Sequence, residues 1–135
     1  NAIELAGRVV HPNYQGQGIG TRLLEKLVVD ERPQHITTYT RNPSVLRMMS
    51  HVTESLYPIA GDDELRALAE AQPNATNLNG IYHIERYGEG GLFHGADPAN
   101  RPFSDSGIPL KEQFEGLRSV RNALVVAGRI RKDLL

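Results

Sequence analysis

No cysteine occurs among the 135 residues, so a disulfide framework, a thiol nucleophile and a thiolate metal site are all excluded. That absence accords with a reducing compartment, and the cytoplasm is the expected location. An excess of one charge is also lacking, since 15 lysines and arginines face 16 aspartates and glutamates. Such a balance provides no field to draw in nucleic acid or an anionic membrane, and neither is expected as a partner. Long hydrophobic runs are missing too. No apolar stretch approaches bilayer-spanning length, and the opening residues show no signal-peptide pattern. None of the five histidines sits at metal-ligand spacing, so no metal is expected. The triplet Asn74-Ala75-Thr76 fits a glycosylation sequon, a feature with meaning only in a secreted chain.

What is present suits one folded domain. Hydrophobic residues make up 39% of the chain, which is below the globular average but far from the disordered class. Residues 2–10 (AIELAGRVV) read as a strand with Gly7 marking a bulge or close approach, and His11-Pro12-Asn13 stops it. Over 20–30 the apolar positions Leu23, Leu24, Leu27 and Val28 form one helical face. Residues 35–40 (HITTYT) are β-branched and aromatic, a second strand. Asn42-Pro43-Ser44 opens a second helix and Asp62-Asp63 a third. Residues 80–87 (GIYHIERY) alternate like a strand, and 88–107 read as a long loop. The spacing of Leu110, Phe114, Leu117 and Leu124 predicts an amphipathic helix over 110–127. The opening order, strand–helix–strand–helix, implies a parallel strand pair with crossover helices.

Gly16, Gly18 and Gly20 alternate directly ahead of the first helix, in the stretch NYQGQGIGTRLLE. Three glycines in five residues suggest backbone that bends sharply or lies close to a ligand. A strand, a glycine turn and a helix amino terminus together form an anion site, because the first helical N–H groups lack intrahelical partners. The phosphate-binding P-loop is absent, since Gly20 is followed by Thr21-Arg22 rather than Lys-Ser/Thr. The dinucleotide fingerprint also fails, because its third glycine would fall on Thr21 and its strand has already ended.

Gln15-Gly16-Gln17-Gly18-Ile19-Gly20 matches the Q/R-x-x-G-x-G/A signature, and with its flanking strand and helix this stretch resembles the GNAT superfamily of acetyl-CoA-dependent N-acetyltransferases. The resemblance implies an α/β fold with a GNAT-like mixed sheet. It implies a loop from Gln15 to Thr21 (Gln15, Gly16, Gln17, Gly18, Ile19, Gly20, Thr21) that wraps the coenzyme A pyrophosphate. Val9 and Val10 would border the pantetheine arm, and Asn42 would contact the cofactor from the second strand. The implied chemistry is acetyl transfer from acetyl-CoA to a primary amine on a small molecule or peptide, without a metal.

Two departures accompany the resemblance. Many relatives carry a proton-donating Tyr on the helix after the second strand, whereas this chain has Arg47-Met48-Met49-Ser50-His51 there. The two methionines read as core, leaving Ser50, His51 and Tyr57 as substitutes. Glu4 is the candidate base, with a solvated edge residue as its plain alternative, and Tyr39 reads as core. The second departure is the small number of residues ahead of the loop, where the family has several strands. That leads to the expectation of a fold incomplete at its amino end, through truncation or completion by another chain or a second copy. The division expected is a cofactor-binding core over 1–87 and a loop with a C-terminal helical extension over 88–135. A non-catalytic acyl-CoA-binding or interaction module is the competing function, and another acyl group such as succinyl is a third.

Overall fold

The computed structural model describes residues 2–5, 19–59, 62–87, 110–117 and 120–135. Strand β1 (Ala2–Leu5) lies parallel to β2 (His35–Thr40), with Ala2 opposite His35 and Leu5 opposite Thr38. Helix α1 (Ile19–Glu31) is the crossover between them. The expected parallel pair and its helix are therefore present. Of the first expected strand, 2–5 is strand and 6–10 lies outside the described residues.

The centre of the sheet is β6 (Ala123–Ile130), which runs antiparallel to all of β2. Two strands share its other edge. Strand β3 (Thr53–Tyr57) pairs with its carboxyl half, and β5 (Ile81–Ile84) pairs through His83 and Ile84 with Leu124 and Ala123. Strand β4 (Ala75–Leu78) closes a hairpin with β5. Its turn residues Asn79 and Gly80 both have positive φ, +57° and +86°, the geometry of the two-residue turn that matches strand twist. The result is a six-stranded, mostly antiparallel sheet ordered β1-β2-β6-β5-β4, with β3 also on β6. This mixed α/β architecture agrees with the fold class expected from the sequence.

Alternation along β6 builds two apolar layers. Leu124, Val126 and Ile130 join Ile36 and Leu56 beneath α1, α2 (Pro43–Ser50) and α4 (Lys111–Gly116). On the opposite face Val125, Ala127, Tyr57 and Tyr82 meet Leu65 and Ala69 of α3 (Asp63–Glu70). Asp62 caps α3 by accepting from the N–H groups of Glu64 and Leu65 at 2.9 and 3.2 Å.

The expected helix over 110–127 is corrected. Only 111–116 is α-helical, and 123–130 is the central strand. The helical stripe is real as far as Phe114 and Leu117, which are buried. Beyond it the β-branched Val125 and Val126 face opposite layers, and burial on both faces requires an extended chain. The strand expected over 80–87 ends at Ile84.

Candidate functional site

Only residues 32–34 join α1 to β2, so the carboxyl end of α1 lies at the amino end of β2. The 13 residues of α1 span about 20 Å and return its amino end to the carboxyl end of the parallel pair. Helix α2 begins two residues after β2 ends. Two helix amino ends thus converge where β1 and β2 finish, the usual ligand end of parallel strands.

Ile19, Gly20 and Thr21 form the opening turn of α1, and that turn carries no acidic side chain. Helix α3 differs, with Asp62 as its cap and Asp63 and Glu64 in its first turn. The first turn of α1 thus brings no negative charge of its own, whereas α3 supplies one to its amino end. Val9, Val10, Gln15, Gly16, Gln17 and Gly18 lie outside the described residues.

Asn42 is the N-cap of α2. Its Oδ1 accepts from the Ser44 N–H at 3.0 Å and from the Ser44 hydroxyl at 2.8 Å, while its own N–H donates to Thr40 Oγ1 at 3.0 Å. A backbone N–H needs an acceptor, so these bonds identify Oδ1 as the capping oxygen and leave Nδ2 as the carboxamide's donor.

Arg41 precedes it and is 1% exposed. Its guanidinium donates to the carbonyls of Val120 (3.1 Å), Asn122 (2.5 Å) and Leu117 (3.0 Å). Those carbonyls belong to the connection between α4 and β6. From that connection the Asn122 carboxamide also lies 3.4 Å from Nδ1 of His83, whose pKa burial lowers against the opposing charge of Glu85.

Glu4 is exposed and pairs with Thr37. Its neighbour Ile3 packs into the α1–α2 layer, so Glu4 faces the other side of the sheet. Tyr39 is half-buried and meets Tyr87 edge to face at 5.3 Å. Burial, followed by the neighbouring Tyr39, raises the Tyr87 pKa. Of the substitutes for the missing tyrosine, Ser50 is exposed and donates to the Arg47 carbonyl, and His51 is the exposed C-cap of α2. Tyr57 is buried under α3 and donates to the Gly80 carbonyl at 2.9 Å, with its pKa raised first by burial. Met49 is fully buried and Met48 packs against the same core, as expected.

Arg41 and the His83–Asn122 pair were not anticipated from the sequence. Nothing local marks Arg41, whose carbonyl partners are 76 to 81 residues away.

This arrangement, two helix amino ends at the carboxyl end of a parallel pair within a mixed sheet, is that of an α/β domain. Residues 1–51 match the model of the Acetyltransferase (GNAT) family, and the mixed sheet is consistent with that family's fold. The match supports an acetyltransferase-type function. No curated protein and no solved structure matches the chain. No helix among the described residues is long and apolar enough to cross a membrane.

Proposed function

We propose that the chain is an acetyl-CoA-dependent N-acetyltransferase that transfers an acetyl group to a primary amine. The observation that carries this reading is the family match over 1–51, which spans the glycine loop, the acid-free amino end of α1 and the Asn42 cap. The residues fit the cofactor. The amino end of a helix suits a pyrophosphate, and the Nδ2 donor of Asn42 suits a carbonyl oxygen of the pantetheine arm. Bound acetyl-CoA supplies the thioester. The amine attacks its carbonyl carbon, the C–S bond breaks, the amine proton passes to a base and the sulfur takes up a proton. Glu4 is the proposed base, working from the face of the sheet away from α1 and α2. The chain is proposed to act in the cytoplasm, on a small-molecule or peptide amine, as a single chain, as copies of itself or completed by another chain.

The absence of tyrosine from α2 (PSVLRMMS) favours a second reading, a module that binds acyl-CoA without turnover.

Calorimetric titration with acetyl-CoA, desulfo-CoA and ADP tests both readings. Acetyl-CoA is expected to bind tightly and ADP much more weakly, and Gly18→Asp is expected to abolish binding by placing a carboxylate against phosphate. Normal binding by Gly18→Asp would show that the site is misplaced. Binding without acetylation of any amine in a broad panel would select the second reading.

A further inference from the structure

Arg41 is the largest fully buried side chain of the described residues, and no step of the proposed reaction uses it. Burying a guanidinium is costly unless its donors are met. Here three of its bonds go to main-chain carbonyls of one short connection, at Leu117, Val120 and Asn122. Carbonyls are held by the chain itself, so the fork ties two backbones together rather than two mobile side chains. One backbone is the exit of β2, where Asn42 donates to Thr40 Oγ1 and is fixed in turn by Ser44. The other is the entry to β6, outside the segment that matches the family.

We propose that Arg41 is a positioning residue for the cofactor: through these carbonyls it sets where Asn42 presents its carboxamide at the carboxyl end of β2. The inference rests on the function proposed above. It assigns Leu117, Val120 and Asn122 to the support of the cofactor site, although they lie more than 60 residues beyond the family match. A lysine cannot reproduce the role. Its single ammonium can meet one or two of these carbonyls but not all three in the spread that a planar fork reaches.

The test uses the full chain, titrated with acetyl-CoA and with ADP, in the wild type and in Arg41→Lys and Arg41→Met. ADP reads the phosphate loop at α1, whereas acetyl-CoA also reads Asn42. Both variants are expected to bind acetyl-CoA about tenfold more weakly, as small displacements of a positioned group do, with ADP affinity unchanged. Gly128→Ala, at the other end of β2, controls for lost stability and is expected to bind both ligands as the wild type does. Should Arg41→Met fail to fold, Arg41→Lys retains the charge and carries the comparison. Equal acetyl-CoA affinity in a folded Arg41 variant overturns the inference, as does a parallel loss for ADP. Absence of acetyl-CoA binding by the wild type instead overturns the proposed function, so the two failures are told apart.

Discussion

Gly128 sits where β2, β3 and β6 crowd together. A Cβ built there would stand 2.6 Å from Thr53 Cγ2, 3.0 Å from Leu56 Cδ1 and 3.3 Å from Ile36 Cγ2. Thr53 cannot simply rotate away, because its hydroxyl donates to the Met49 carbonyl at 2.9 Å. Gly128→Ala is therefore expected to destabilise the protein by about 1–3 kcal/mol, the usual range for overpacking. Urea unfolding gives the value, and an unchanged midpoint would show that the three side chains yield freely. Asn42 allows a second experiment at this scale, because it does two things with two ends of one carboxamide. Asn42→Asp keeps the oxygen that caps α2 and removes the Nδ2 donor. Stability is expected to stay within about 0.5 kcal/mol, since both residues are good caps, while acetyl-CoA affinity falls. If affinity and stability fall together, the side chain serves the helix alone.

The elements differ in how plainly the sequence announced them. β2 was legible end to end, because HITTYT combines β-branched residues with a proline before it and Asn-Pro after it. The starts of α2 and α3 were legible through Pro43 and Asp62, whose capping chemistry is local. β6 was not. ALVVAGRI is a short apolar run, and a run buried on both faces has no alternation to separate it from a buried helix. Its identity comes from β2, β3 and β5, which leave it only an extended place. The β4–β5 hairpin did carry a signal, the Asn79-Gly80 pair between two short runs. Near the candidate site, the helix starts after Asn42 and close to Gly20 were readable because each depends on neighbours in sequence, whereas Arg41 depends on the carbonyls of Leu117, Val120 and Asn122.

Docking of α3 also belongs to this scale. Its cap Asp62 accepts from Arg129 of β6 at 2.7 Å, and Glu64 reaches both Arg129 and His35. The hydrogen bond from Arg129, then the N–H of Leu65, holds the Asp62 pKa below its ordinary 3.8. A carboxylate with a lowered folded pKa stabilises the fold above its unfolded value and loses that contribution as pH falls through the folded value. Asp62→Asn retains a cap but not the charge. The wild type is expected to be the more stable at neutral pH, and the gap should close as pH drops from about 5 toward 2. Denaturation of both proteins across that range checks it, and a gap independent of pH would mean that the Arg129 pair contributes nothing to docking.

For the whole molecule, what matters is that the segment matching a family and the strand that makes it stable lie at opposite ends of the chain. Residues 1–51 contribute β1, α1, β2 and α2, a parallel pair with helices on one face and no strand between β2 and β3. β6 fills that gap, with Leu124, Val125 and Val126 fully buried and Ile130 at 1%. Four such side chains contribute about 6–12 kcal/mol of burial, as much as the whole stability of an ordinary domain, about 5–15 kcal/mol. Ending the chain at residue 119 is therefore expected to abolish cooperative thermal unfolding and acetyl-CoA binding together, because the β2 exit would lose both its neighbour strand and two of the three carbonyls that hold Arg41, those of Val120 and Asn122. Calorimetry of the shortened chain, with and without a peptide of residues 120–135, makes the test. Recovery of the transition on adding the peptide would show that β6 acts by completing the sheet. A shortened chain that still melts cooperatively near the wild-type temperature would mean that 1–119 holds a self-sufficient core, and that the central strand is an addition to it.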